Sequence, residues 1–361
     1  SPADLAMHVV LPEVDGRLFA GVVSFKSPGK RDPDLQFSRF AHRADAARVA
    51  AVVAKVRAWL TLAETDAAQR KLAVVLSTYP GKAHQMAHAV GLDALASVEA
   101  VLADLAMAGY AVTPARSLAQ ALLTERLSWS LSDYLAALDT LPQSLRDDLH
   151  AAWGRPETDP AFADGAFHFA AQRSGAALVA LQPERGDVAQ RDGEYHDLSR
   201  IPRHGYVAFY LWLRAQGVHA LIHMGAHGTL EWLPGKSVAL SDACWPEALI
   251  GSLPVIYPFI VNDPGEAAQA KRRIGALTLG HLPPPMVQSA LPEGMARLER
   301  LLDEYSTADG LDPARRDRLI GSIRSEAQAL GVEEDLGLPP DASATEAMTR
   351  IDRFVCDIKE S

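Results

Sequence analysis

Apolar residues recur with helical spacing at Val49, Val52, Val53, Val56 and Leu60, and again at Val98, Val101, Leu102 and Leu105, so these stretches predict amphipathic helices. Short continuous apolar runs at Leu72–Leu76, Ala176–Leu181, Val218–His223 and Val255–Val261 predict strands buried on both faces. Tyr206–Ala215 predicts a helix that stops at Gly217, and residues 116–153 predict two or three short helices ending at Gly154. Asn262-Asp263-Pro264-Gly265-Glu266 is a helix start, with Asp at the cap and Pro at the first position. Near the beginning, two apolar runs in MHVVLPEVDGRLFAGVVSF flank a Pro-Glu-Val-Asp-Gly turn and predict a hairpin-like strand pair. From about residue 291 the pattern is helical only, with Leu298, Leu301 and Leu302 as one stripe.

Strands alternating with helices predict an α/β fold with a mostly parallel sheet and helices flanking it. The expected division is 1–68 as strand pair plus helix, 69–290 as the α/β domain, and 291–361 as a helical extension. About twenty polar residues from Pro183 to Arg203 have no period of their own, and a loop that long is expected to be functional or disordered.

Composition narrows the function. A net charge of −10 argues against nucleic-acid binding, which needs a basic surface. No apolar stretch approaches the roughly 18 residues of a membrane helix, and no signal peptide is visible. The two cysteines, Cys244 and Cys356, form no CxxC pair, which suits a reducing cytoplasm. The chain enters secondary structure at once without an initiator Met, and reads as a segment of something longer.

The densest polar chemistry is HALIHMGAHGTLEWLPGKSVALSD, residues 219–242. His219, His223, His227 and Glu231 are spaced by four, which on a helix would align them. The β-branched and apolar residues from Val218 to Ile222 favour a strand instead, and there His219 and His223 stand about 13 Å apart, too far to share an ion. His223 is therefore expected at the strand's carboxyl end. Gly225 and Gly228 allow a sharp return that brings His227 and Glu231 to the strand mouth, where ligands of open parallel sheets sit. Two imidazoles and a carboxylate suit a borderline divalent metal such as zinc, cobalt or nickel. Leu233-Pro234-Gly235-Lys236-Ser237 ends like a phosphate-binding loop, but residue 230, where the first glycine belongs, is Leu; ATP binding by this chain is not expected. His84 and His88 are a second pair spaced by four, expected to begin a helix after the 72–76 strand. In Lys271-Arg272-Arg273 the alternatives are a solvated helix end and a clamp for carboxylates. Trp232 and Trp245 are either core or stacking surfaces for a flat ligand.

The block HMGAHGTLEWLPGKSVALSDACWPEALIGSLPVIYPFIVNDPGEAAQAKRR resembles the signature region of the family of aerobic cobaltochelatase large subunits and magnesium-chelatase H subunits. LPEVDG, STYPGK with AVGLD, LQPERG at 181–186 and RHGYVAFYLWL at 203–213 extend the resemblance over nearly the whole chain. Trp232, the VNDPGE segment and HAVGLD resemble the cobalt branch more closely. The resemblance implies a ligase that forms nitrogen–metal bonds, inserting Co²⁺ into hydrogenobyrinic acid a,c-diamide in cobalamin synthesis. It also implies ATP hydrolysis by separate AAA+ partner subunits, a central position for this chain within a longer subunit, and no activity from this piece alone. In that frame Glu231 accepts a ring proton, His223 and His227 hold the metal with it, and His204 lies at the pocket rim. Gln182 bonds a polar ring substituent, Trp232 stacks, and Lys236, Arg203 and Arg272 pair with ring carboxylates. The alternatives are a magnesium-chelatase H-type subunit placing Mg²⁺ in protoporphyrin IX, a zinc hydrolase with His223, His227 and Glu231 as ligands, and an inert tetrapyrrole-binding scaffold.

Overall fold

In the computed structural model the residues described are 2–77, 88–89, 92–114, 118–186, 197–225, 228–260, 264–281, 293–308, 313–339, 342–344, 347–348, 350–352 and 354–355. They form two compact units, 1–283 and 284–361.

The first unit is built on β3 (Leu72–Leu76), whose five residues are all buried. An apolar run without alternation is what a strand covered on both faces requires. Parallel to β3 run β9 (Ala177–Leu181) on one side and β10 (Ala220–Met224) on the other. Beyond β10 follow β11 (Val255–Ile260) and β12 (Leu277–His281), also parallel. Beyond β9, the antiparallel strands β8 (Ala166–Ser174) and β6 (Arg126–Ser130) complete the order β12-β11-β10-β3-β9-β8-β6, with β7 (Phe162–Ala163) paired to β8. The α/β expectation with a mostly parallel sheet and flanking helices therefore holds; β6, β8 and β12 are strands that the sequence pattern did not predict.

Alternation along the central strands splits the core. Ala73, Val75, Leu178, Ala180 and Leu221 face the helices Leu131–Leu138, Gln143–Trp153, His204–Ala215 and Trp245–Ile250. Leu72, Val74, Leu76, Val179 and Ile222 face Ala94–Met107 and Leu118–Thr124. Asp45 and Asp93 cap the Ala46–Glu64 and Ala94–Met107 helices by accepting from the backbone N–H groups of Arg48 and Ala96. Arg48 joins Glu247 in a buried bidentate pair at 2.5 and 3.0 Å, which Lys55 supplements at 3.3 Å. The N-terminal helix is thereby fixed to the Trp245–Ile250 helix.

Two expectations need correction. The first apolar run near the start is helical, through Pro2–Leu5, the π-helical turn Ala6–Val10 and Leu11–Val14. Pro12, which suggested a hairpin turn, instead occupies the first turn of a helix, where its missing N–H costs nothing. The antiparallel pair forms later, between β1 (Ser24–Pro28) and β2 (Phe40–Ala44). His88 lies not in a helix but in β4 (His88–Ala89), paired antiparallel with β5 (Leu92–Asp93). His84 and the Tyr79–Lys82 turn fall outside the described residues.

The second unit is helical as expected: Glu293–Ala308, Pro313–Ala329 and Val332–Asp335 enclose Leu298, Leu302, Ile323, Ala327 and Val332, with Met348, Ile351 and Val355 from the chain's end. No helix among the described residues is long and apolar enough to cross a membrane.

Candidate active site

Chain order creates a switch point. From β3 the chain proceeds to β9 on one side, then crosses back to β10 on the other. Parallel strands diverging in this way leave a crevice beyond their carboxyl ends, the usual ligand position in such sheets. Ser77, directly after β3, and His223, near the end of β10, lie side by side at the carboxyl ends of these two strands.

His223 shares the pleat face of Leu221 and is 1% exposed. Its ring stacks on Tyr257 of β11 at 4.8 Å between centroids and 16° between planes. Nδ1 lies 3.5 Å from Ser77 Oγ, a long contact, and Nε2 is buried with no hydrogen-bond partner among the described residues. Burial pushes the imidazole pKa down from 6.5 to about 4, so the ring is neutral near pH 7 and offers a nitrogen lone pair.

Two glycines turn the chain back. At Gly225, φ is +154°, and a Cβ there would meet Ser77 Oγ at 2.7 Å. At Gly228 a Cβ would stand 2.7 Å from Glu231 Oε2 and 3.0 Å from His223 Cε1. His223 and Glu231 thus wall the same small space, and only a residue without a side chain fits between them. Glu231 lies in the 3₁₀ turn Leu230–Trp232 and is 0% exposed. Tyr257 donates its hydroxyl to Oε1 at 3.4 Å, while Oε2 has no hydrogen-bond partner among the described residues. Burial raises the carboxyl from 4.5 to about 7; the negative charge of Glu266 adds to the rise, and backbone N–H groups of Glu231 and Gly228 oppose it.

The loop's backbone is held by a residue that sequence reasoning did not single out. Arg273, 3% exposed, donates to the carbonyls of Glu231 (2.5 Å), Leu233 (2.8 Å) and Lys236 (3.0 Å). The signal was its phase with Glu266, Ala270 and Ile274 on the buried face of the Pro264–Ile274 helix. Arg185 adds a bond to the Trp232 carbonyl at 3.2 Å and others to the carbonyls of Asp197 and Arg200.

The other expected site residues divide. Lys236 is exposed on the same loop, and Trp232 is half-buried beside Glu231. His227 lies outside the described residues. Among the described residues no three His, Cys, Asp or Glu side chains converge to hold a metal ion; His223 and Glu231 come together as a pair. His204 is not at a pocket rim: it is buried, with Nδ1 2.6 Å from the Tyr134 hydroxyl and Nε2 3.0 Å from the Gly154 carbonyl. Both nitrogens are spent, and burial lowers its pKa. Gln182 is likewise committed, donating to the hydroxyls of Tyr210 at 2.5 Å and Tyr206 at 3.2 Å. Tyr206 continues to Thr229 Oγ1 at 2.8 Å, so Gln182 braces the loop from behind. Arg272 points away to Glu13 at 2.8 Å, because consecutive residues on a helix face different directions. Arg203 precedes the His204–Ala215 helix and lies 3.9 Å from Asp159.

At the carboxyl ends of β3 and β10 a neutral buried imidazole thus stands beside a carboxyl whose pKa burial has raised to about 7, and the chain belongs to the CobN/magnesium chelatase family, which it matches over residues 1–361. It is 40% identical to the aerobic cobaltochelatase subunit CobN of a Sinorhizobium species, over 99% of this chain and 29% of that protein. The CobN subunit of Pseudomonas aeruginosa is also 40% identical, over 100% and 30%, and the rice magnesium-chelatase subunit ChlH 29% identical, over 94% and 25%. The catalytic subunit of cobaltochelatase from Mycobacterium tuberculosis superposes with a TM-score of 0.70 at 36% identity, covering 99% of this chain and 32% of that one. The chain thus spans about a third or less of the length of these relatives.

Proposed function

We propose that this chain carries the metal-insertion centre of a cobaltochelatase, a ligase that places Co²⁺ in a tetrapyrrole, hydrogenobyrinic acid a,c-diamide, while AAA+ partner subunits hydrolyse ATP. The observation that carries this reading is the His223–Glu231 pair around Gly228, with one polar atom on each side chain that has no hydrogen-bond partner among the described residues. Metallation strips water from the ion, removes a proton from a ring nitrogen and admits the ion to the ring centre. The neutral imidazole of His223 offers Nε2 to Co²⁺ in place of a water ligand; His227 is assigned the same task from its sequence position. Glu231, with a pKa of about 7, takes the ring proton at Oε2 and can release it afterwards, since a base is most useful when its pKa lies near the working pH. Tyr257 orients the carboxylate through Oε1, and Arg273 fixes the turn that carries it. Lys236, exposed on the same loop, is placed to meet a ring carboxylate.

The test is single-turnover metallation at saturating cobalt and macrocycle, with the protein reconstituted with its ATPase partners. Glu231→Gln is expected to bind the macrocycle nearly as wild type and to insert cobalt at least ~100-fold more slowly. A rate within a few-fold of wild type would remove Glu231 as the base.

A further inference from the structure

At the opposite end of the strands, where β10 and β11 begin, lies an open cavity of about 390 Å³. His219, immediately before β10, is four residues from His223, about 13 Å along an extended chain, so the cavity is separate from the His223–Glu231 pair. Its polar lining is made of donors. Arg57 contributes a guanidinium with no hydrogen-bond or ion-pair partner among the described residues. Arg214 spends one N–H on the Ala248 carbonyl at 2.9 Å and has no other acceptor among them. The Lys71 backbone N–H donates to His219 Nδ1 at 2.9 Å, which leaves Nε2 of the neutral ring as an N–H donor. Ser252 adds a hydroxyl, and no lining residue is acidic.

Among the described residues no carboxylate pairs with Arg57 or Arg214. Glu247, the acid of the adjoining Trp245–Ile250 helix, is held by Arg48 and Lys55. The Arg214 pKa is lowered by the crowding of protein around it, with no carboxylate opposing that effect. Two guanidiniums, an imidazole N–H and a hydroxyl around one cavity match the acceptors of an oxyanion. Val218 and Leu253 give the same cavity an apolar wall, and its volume falls within the range of small-molecule sites.

We propose that this cavity binds a small molecule with a multiply charged oxyanion head, held between Arg57 and Arg214, and a carbon body laid against Val218 and Leu253. The probes are inorganic pyrophosphate and citrate, titrated calorimetrically into the purified protein. At least one is expected to bind at millimolar concentration or below. Saturation by pyrophosphate alone assigns a phosphate head, by citrate alone a carboxylate head, and by both an oxyanion site without head selectivity. Arg57→Ala should weaken the binding roughly tenfold or more, the scale of a lost charged hydrogen bond, with the unliganded unfolding midpoint unchanged because Arg57 is exposed and unpartnered. Arg214→Lys, which keeps the charge and loses the planar fork, should weaken it by a smaller factor. The proposal is overturned if neither probe binds wild type, or if Arg57→Ala binds both as tightly as wild type.

Discussion

Replacing Glu231 by Gln tests the site without any substrate, because the two buried groups titrate in opposite senses. Glu231 has its pKa raised from 4.5 to about 7 in the folded protein. The folded state therefore holds a proton that the unfolded chain releases, and stability contributed by the neutral carboxyl is lost as pH rises from 4.5 through about 7. His223 has its pKa lowered from 6.5 to about 4. The unfolded chain then binds the proton that the folded state refuses, and stability is lost as pH falls from 6.5 through about 4. Each group alone gives a slope of about 1.4 kcal/mol per pH unit and a total of about 3 kcal/mol. Between pH 4.5 and 6.5 the two slopes oppose, and wild type should show little net pH dependence from the pair. Glu231→Gln removes one of them. Its stability relative to wild type should rise across the window and end about 3 kcal/mol higher near pH 8, because Gln never has to carry a buried negative charge. Urea unfolding at several pH values from about 4.5 to 8 measures this directly. Equal stability of the two proteins near pH 8, or parallel pH profiles, would show that Glu231 ionises as an ordinary carboxylate and would refute the reasoning.

Gly228→Ala should cut metallation at least tenfold, because the added Cβ would stand 2.7 Å from Glu231 Oε2 and 3.0 Å from His223 Cε1; a near-normal rate would mean that the two groups need not share that space. His223→Ala should raise the cobalt concentration for half-maximal rate several-fold while leaving the rate at saturating cobalt closer to wild type than Glu231→Gln does, and an unchanged cobalt dependence would remove His223 as a ligand. Arg273→Met should lower the unfolding midpoint, since the buried carbonyls of Glu231 and Leu233 lose their donor, at about 1–3 kcal/mol for each group left unsatisfied; a midpoint within 1 °C of wild type would deny it that role. Lys236→Ala should weaken macrocycle binding measurably and leave the fold intact, as Lys236 is exposed; affinity within twofold of wild type would take it out of the site.

The central sheet was legible because β3, β9, β10 and β11 are continuous apolar runs, a pattern that burial on both faces imposes. The antiparallel edge was not. Arg126–Ser130 is only five residues long and lies between helices, and Ala166–Ser174 mixes Ala, His, Gln and Arg with its two Phe residues. The short run at Met7–Leu11 fits a strand or a helix equally by its pattern, and it is helical, with only Val9 buried. The meeting of His223 and Glu231 was legible through Gly225 and Gly228, since glycines between two polar residues permit close return of the chain. The misplacement of His204 and Arg272 has a different origin. The partners that occupy them, Tyr134, Gly154 and Glu13, are 70, 50 and 259 residues away in the chain, and local sequence carries no record of them. Choosing Arg273 over Arg272 required the phase of the helix, set by which side of it meets the 231–236 loop.

The position of β3 also governs how the protein is made. Its carboxyl-end crevice exists only after β10 has paired beside it, and Lys71 and His219, at the start of that pairing, are 148 residues apart. At ribosomal speeds of about 5–20 residues per second, β3 leaves the exit tunnel roughly 7–30 s before its neighbour. For that interval Leu72–Leu76, an apolar strand with no ladder on the β10 side, is a template for pairing with other nascent chains. Truncations ending between Leu181 and His219 are accordingly expected to accumulate as inclusion bodies, whereas chains extended through β12, which close both sides of β3 and cover β11, are expected to emerge soluble.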